Sequence, residues 1–166
     1  MKRLKQSMRL GFSERGQSMV EMALMMVILL TILSGVLDLG RGFFSFIAIQ
    51  NSAGEGALYA AINPTCAHKY DIGLGGVSCA DPNNADYRAK FESPNGLVDP
   101  QKMTVSVMYS NGTNAYSISD ISEGNPITVT VTYSFKMLGP FSGVFPDGQL
   151  GFVAHSTQNI LDLKNK

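Results

Sequence analysis

The sequence predicts an α+β protein, in which one long N-terminal helix packs on a small antiparallel sheet domain. Two patterns lead to this fold class. An uncharged run of membrane length is followed by apolar residues at helical spacing up to about residue 61. Beyond Pro100 the apolar residues recur at every second position instead, which is the period of a strand with one buried face. We therefore expect the helix to have a transmembrane half and a protruding half that carries the sheet.

The uncharged run is long enough to cross a bilayer. Residues 22–37 carry no charge, and extending the run back to residue 17 adds only that of Glu21. At 1.5 Å per residue, residues 17–37 span roughly 31 Å, close to the hydrocarbon thickness of about 30 Å. A cleaved secretory signal is the alternative, but its apolar core is about 7–15 residues long and ends in a small-x-small site, which is absent here. We predict a retained transmembrane helix over 17–37.

The charges on either side of the run are unequal. Residues 1–16 contain five basic side chains and one acidic, whereas the rest of the chain contains eight basic and twelve acidic. The positive-inside rule then places this basic leader in the cytoplasm and the body outside. No basic stripe lies beyond residue 16, which argues against nucleic acid as a partner. The basic residues of the leader are Lys2, Arg3, Lys5, Arg9 and Arg15.

Glu21 stands at the head of the apolar run. A carboxylate costs about 2.5–3.5 kcal/mol at the centre of a span, so its presence there requires a reason. Gly16 precedes it by five positions, just before the span. A glycine before the span and an acid at its head indicate a cut site and a buried docking group, which favours assembly over catalysis.

The helix is expected to continue through residues 38–62. Asp38 and Arg41 are three positions apart and can pair on one helix face. Apolar and polar residues then recur at three- and four-residue steps, with no proline before Pro64. Four glycines weaken the helix, and they mark either flexible or closely packed turns or places where neighbouring helices approach. These glycines are at positions 40, 42, 54 and 56.

Three stretches of the chain resemble one family. Residues 15–24 (RGQSMVEMAL) are similar to the head of TadE-like proteins, the pseudopilins of the Tad (Flp) pilus assembly system, which are type IV pilin-like. Residues 38–41 (DLGR) and 50–61 resemble the second half of the same N-terminal block. Weaker similarity comes from the run at 129–135 followed by Gly139-Pro140.

The resemblance implies a role for each of these residues. Gly16 would be the last leader residue, cut by a prepilin peptidase to leave Gln17 as the new N-terminus. Glu21 would meet a neighbour's free amino terminus, and we assign Asp38 and Arg41 to the assembly contacts as well. The protein would be a non-catalytic subunit whose partners are the peptidase, other pilins and the Tad assembly machinery. It would lie in the cytoplasmic membrane as a single-pass protein, or enter the pilus.

Alternatively, the chain is an uncleaved single-pass membrane protein. Its extracytoplasmic body would then be a binding or adhesive module. An envelope-anchored enzyme is a third class, but the chain has no HExxH, GxSxG, P-loop or catalytic cysteine motif around His68 and His155. We expect no catalytic residues, no cofactor and no metal.

Residues 63–166 are expected to form the small extracytoplasmic domain. Turn signals dominate up to Pro100, with a short helix at Ala85–Phe91 that Asn83 or Asn84 would cap. A strand at 103–109, a turn at Asn111-Gly112 and a return strand at 115–118 would form a hairpin. The clearest strand is 127–135, with apolar residues on one face and hydroxyls on the other, and 150–157 is a candidate fourth.

Cys66 and Cys79 are the only cysteines of the chain. In an oxidising compartment a disulfide between them would contribute about 3 kcal/mol in the chain-entropy model. Free thiols are an alternative, and metal ligation with His68 lacks both a fourth ligand and zinc-finger spacing. The oxygen ligands of residues 81–86 faintly suggest calcium, but an EF-hand glycine and closing glutamate are missing, which favours a solvated turn.

Overall fold

The computed structural model describes residues 14–73, 76, 78–91, 96, 98–117 and 119–161. Its main elements are two helices and three strands, and they confirm the predicted α+β class. Of the predicted leader, residues 1–16, positions 1–13 lie outside the described residues. In chain order the elements are α1 (Glu14–Ile62), α2 (Ala85–Phe91), β1 (Met103–Met108), β2 (Pro126–Lys136) and β3 (Gln149–Asn159).

Helix α1 is unbroken over its 49 residues and confirms the predicted continuation beyond the apolar run. Its two halves have different surroundings. Every residue from 16 to 30 is exposed, so no described part of the chain covers the first half. Buried residues begin at Asp38 and recur at three- and four-residue steps up to Ala61. The second half of α1 is therefore the core helix of the body.

The three strands form one antiparallel sheet in the order β1-β2-β3. The register pairs Val131 of β2 with Val105 of β1 and with Ala154 of β3. The alternation predicted for residues 127–135 is confirmed, because five apolar side chains of β2 are buried and the residues between them are exposed or half-buried. These five are Ile127, Val129, Val131, Tyr133 and Phe135.

Small residues line the face of α1 that meets the sheet. Short side chains let a helix and a sheet approach closely, and at Gly56 the approach leaves no room for a side chain. A Cβ there would lie 2.9 Å from the Ala89 Cβ and 3.1 Å from the Val129 Cγ1. The predicted body thus packs on the protruding half of α1 through a single core. The buried small residues on this face include Ser45, Ala48, Ser52, Ala53, Ala57 and Ala60.

Helix α2 forms at the predicted residues, and Asn84 is its cap. The Asn84 Oδ1 accepts a hydrogen bond of 2.7 Å from the Tyr87 backbone N–H, which is otherwise unsatisfied in the first turn. Its Nδ2 donates to the Cys79 carbonyl at 3.0 Å. The rings of Tyr87 and Phe91 stack with centroids 4.7 Å apart, on the shared face that the sequence predicts.

The predicted disulfide joins Cys66 to Cys79, and both residues are buried. It sits between the end of α1 and the start of α2. The backbone N–H groups of Ala85 and Asp86 donate to the carbonyls of Cys66 and Ala67, both at 3.0 Å. The disulfide loop therefore positions α2 against the core.

The prediction of a return strand at residues 115–118 is wrong, because residues 115–117 form no strand. Residue 118 lies outside the described residues. Asn111-Gly112 does make a tight turn, closed by the Gly112 N–H on the Tyr109 carbonyl. Asp120 then organises the segment, because its Oδ2 accepts from the Asn111 Nδ2 and from the Ser117 N–H, each at 2.7 Å. The backbone and side-chain hydrogen bonds from Ser117, and next the one from Ser110, hold the pKa of Asp120 below its usual range.

Strand β1 pairs with β2 instead of with the short segment after the turn. Residues 113–117 are exposed, so pairing them would bury little apolar surface, whereas β2 presents a long alternating face. The candidate strand at 150–157 is confirmed as β3, and it is the third strand of the described sheet rather than a fourth.

We predict opposite effects of adding a methyl group at two glycines of α1. Gly56→Ala introduces the contacts given above, and overpacking of this kind costs about 1–3 kcal/mol, more than the gain in helix propensity of about 1 kcal/mol can offset. Gly54→Ala is the matched control, because nothing lies within 4 Å of the added Cβ and only the propensity gain remains. Thermal unfolding of the detergent-solubilised chain should show a lower Tm for Gly56→Ala and an unchanged or higher one for Gly54→Ala. Equal Tm values would contradict the close packing.

Candidate processing and assembly site

The first half of α1 is a bare apolar surface. Among the described residues, one helix, Gly16–Ile62, is both long enough and apolar enough to cross a membrane. No residue of its most apolar stretch is buried against the rest of the described chain. Large apolar side chains point outward on all sides, with Leu24 62% and Met25 69% exposed. Because water disfavours such a surface, it requires lipid or other apolar helices around it.

The three residues predicted for processing and docking lie together in the first turns of α1. Gly16 and Gln17 are exposed, and no described residue lies within 4 Å of a Cβ added at Gly16. The Gln17 Nε2 donates a hydrogen bond of 3.1 Å to the Glu21 Oε1, one helical turn further on. Among the side chains that the structure describes, no basic group pairs with Glu21, so its carboxylate is free to meet a cation from another chain.

Asp38 lies in a different environment, since only 4% of its surface is exposed. Its carboxylate accepts hydrogen bonds from three groups of the chain. The Gly139 N–H donates at 2.6 Å and the Leu138 N–H at 3.2 Å, both to Oδ2. Arg41 donates from Nη1 to Oδ1 at 3.1 Å, which confirms the predicted pair. Asp38 thus ties α1 to the loop that joins β2 to β3, residues 137–148, which we call the 137–148 loop.

Arg41 also contacts the sheet. Its Cζ lies 5.3 Å from the centroid of the Phe135 ring, a cation–π distance, while its guanidinium pairs with Asp38. Gly139 is required at the contact because a Cβ there would lie 2.7 Å from the Asp38 Oδ2. Sequence reasoning placed Asp38 and Arg41 at assembly contacts and missed the partners 100 positions away. The Gly139-Pro140 pair was the one available signal.

The four glycines of the second half of α1 divide between the two interpretations left open by the sequence. Gly42 and Gly56 face the body, where Phe135 and Val129 respectively lie within 4 Å of an added Cβ. Gly40 and Gly54 have nothing within 4 Å in the described chain. Close packing within the molecule therefore accounts for Gly42 and Gly56 only.

The body offers no metal-ligating cluster within its described residues, where no group of three or more His, Cys, Asp and Glu side chains lies together. Asp81, one of the oxygen groups weighed for calcium, instead accepts from the Asn84 Nδ2 at 2.8 Å and pairs with Lys69 at 3.3 Å. The hydrogen bond from Asn84, and next the Lys69 ammonium, lower the pKa of Asp81. Asp81 therefore helps to hold Asn84, the cap of α2, in place.

The described residues combine one helix that could anchor the chain in a membrane with an α+β body. Residues 16–58 match the family model described as TadE-like protein, so this segment of the chain is TadE-like. The match begins at Gly16 and includes Glu21, Asp38 and Arg41. The matched family is associated with the Tad pilus, and it is a family of structural proteins. No curated protein and no solved structure matches the chain.

We predict that Asp38→Ala releases the 137–148 loop from α1. The substitution removes the acceptor of the Leu138 and Gly139 N–H groups, and a hydrogen bond to a charged group contributes about 1.5–3 kcal/mol. Arg41→Ala is the control, because the two backbone N–H groups keep their acceptor. Hydrogen exchange of these two amides should accelerate strongly in Asp38→Ala and only slightly in Arg41→Ala. Equal exchange in the two variants would show that Asp38 does not hold the loop.

Proposed function

We propose that this protein is a TadE-like pseudopilin, inserted with its N-terminus in the cytoplasm, cut after Gly16 by a prepilin peptidase, and assembled with other pilins through the bare half of α1. The observation that carries the proposal is the match of residues 16–58 to the TadE-like family together with the exposure of residues 16–30. The peptidase, the other pilins and the Tad assembly machinery are its proposed partners.

The position of Gly16 supports processing at the membrane surface. Gly16 lies in the first turn of α1, between the basic leader and the apolar run, with open space around it. Cleavage there would remove residues 1–16 and leave Gln17 with a free amino group. That group would lie one helical turn, roughly 6 Å along the axis, from Glu21.

The environment of Glu21 supports a docking role. A carboxylate surrounded by apolar residues is unfavourable unless a cation compensates it, and its present hydrogen bond comes from the neutral Gln17. A neighbour's α-amino group about 4 Å away would attract it by about 4 kcal/mol at an effective dielectric constant of 20. Each subunit would then supply one amino group and one carboxylate, so the contact can repeat from subunit to subunit.

We expect processing to depend on Gly16 specifically. When the full chain is co-expressed with a prepilin peptidase, intact-mass measurement should show the loss of residues 1–16 and an N-terminus at Gln17. Gly16→Leu should abolish this loss, whereas Gly11→Leu, a glycine within the leader, should retain it. An N-terminus at Met1 in the wild-type chain, or cutting that Gly16→Leu does not affect, would contradict the processing proposal.

We expect Glu21→Ala to separate assembly from processing. Cutting should persist because Gly16 and Gln17 are unchanged, but piliation and co-purification with other pilins should fall severely, since the neighbour's amino group loses its partner. Glu55→Ala is the matched control, because Glu55 is an exposed acid on the same helix beyond the predicted span. Wild-type piliation in Glu21→Ala would remove the docking role, as would an equal defect in Glu55→Ala.

A further inference from the structure

The 137–148 loop has an apolar outer surface that the body does not cover. Residues 137–146 form ten consecutive positions without a charge. Leu138 and Val144 expose 71% and 74% of their surface, and Phe141 exposes 40%. Contiguous exposed apolar surface on a folded protein marks a place that contacts another apolar phase or partner.

The loop lies beside the last turns of the predicted span. The Phe141 ring packs over Gly35, where an added Cβ would lie 2.8 Å from the Phe141 Cε2. The Gly139 N–H reaches Asp38 one turn later. Loop and helix therefore share one level along α1, and that level coincides with the outer end of residues 17–37.

The apolar surface of α1 continues past this level on the outside of the molecule. Leu39 is 75% exposed, and Phe43 and Phe44 are 61% and 55% exposed. Together with the loop they form what we call the membrane-side patch. Asp38 and Arg41, the ionisable residues of α1 at this level, pair with each other, and the Asp38 side chain is buried while the Arg41 side chain is 40% exposed. The patch consists of Leu39, Phe43, Phe44, Leu138, Phe141 and Val144.

An open groove of about 640 Å³ runs between the loop and α1. Its walls are apolar apart from Asp38, and they extend along α1 from Gly35 to Phe46, roughly 16 Å of helix. Four residues of the membrane-side patch also line the groove, so its mouth opens onto the patch. These four are Leu39, Phe43, Phe141 and Val144.

The distances along α1 place the patch at the membrane interface. Residues 17–37 span roughly 31 Å, the thickness of the hydrocarbon, and the headgroup region of one leaflet adds about 5–7 Å, or about three to five residues of helix. Leu39 therefore lies at the level of the headgroups and Phe43 and Phe44 just beyond them, so the patch is continuous with the surface that already requires lipid.

We propose that the membrane-side patch docks on the lipid surface of the body-side leaflet, with acyl chains entering the groove. This second contact fixes the orientation of the body relative to the membrane, because a single helix alone leaves the body free to rotate and tilt. The proposal rests on the membrane anchoring of the proposed function, and it is independent of the cut after Gly16 and of the docking of Glu21.

The chain contains no tryptophan, so one introduced tryptophan reports on a single position. The full chain would be reconstituted into phosphatidylcholine–phosphatidylglycerol vesicles with ordinary or brominated acyl chains, since bromine quenches a tryptophan that contacts it. Val144→Trp tests the patch, and Leu138→Trp repeats the test in the same loop. Ile32→Trp, 58% exposed in the span, is the positive control, and Tyr70→Trp, 90% exposed near the far end of α1, is the negative control.

We expect brominated lipid to quench Val144→Trp and Leu138→Trp to an extent comparable with Ile32→Trp, and to leave Tyr70→Trp unquenched. Loop reporters that behave like Tyr70→Trp would overturn the lipid contact while leaving the span intact. The loop tryptophans could instead be shielded from water but not quenched by bromine, and lose this shielding when the protein is diluted in lipid. That result would assign the patch to a contact with a second copy of the chain and overturn the proposal. An unquenched Ile32→Trp would overturn it together with membrane anchoring.

Discussion

The close approach of β2 to the small-residue face of α1 is the constraint on which the rest of the molecule depends. Glycine, alanine and serine at three- and four-residue steps bring the helix backbone against Val129 and Ala89, with no space left at Gly56. Helix α1 lies over β2 and β3 while α2 packs against β1, so the two helices together cover one face of the sheet. A core of this kind needs few large side chains, and it commits only the second half of α1.

The division of α1 into a packed half and a bare half has a direct consequence for function. The second half of α1 buries its small-residue face against the body. The body also supplies partners to the buried acid, because the Asp38 carboxylate accepts from the Leu138 and Gly139 N–H groups and pairs with Arg41. Glu21 has only Gln17 among the described side chains. The two acids in the matched segment therefore lie in different environments: Asp38 is a buried acceptor within the subunit, whereas Glu21 is exposed and is the acid that we propose meets a neighbour.

Sequence periodicity predicted the parts of the fold that depend on local pattern. The extent of α1 and the alternating face of β2 follow from residue spacing, because burial repeats every 3.6 or every 2 residues. The cap of α2 follows from residue type, since two asparagines precede the helix. The hairpin at Asn111-Gly112 failed because a turn signal does not determine which strand becomes the partner, and β2 offered more apolar surface to β1 than residues 113–117 did. The contact of Asp38 with Gly139 and of Gly35 with Phe141 joins residues about 100 positions apart, which no local pattern encodes.

The central claim is that the bare half of α1 meets other pilin subunits. A photo-crosslinking amino acid in place of Leu24, which is 62% exposed in the middle of that half, tests this claim most directly in cells that assemble the pilus. We predict a covalent adduct with another pilin subunit after irradiation, and no such adduct when the same photo-crosslinker replaces Tyr70, which is 90% exposed beyond the end of α1. Irradiation that yields no protein adduct at position 24, while the chain is present and processed, would contradict it.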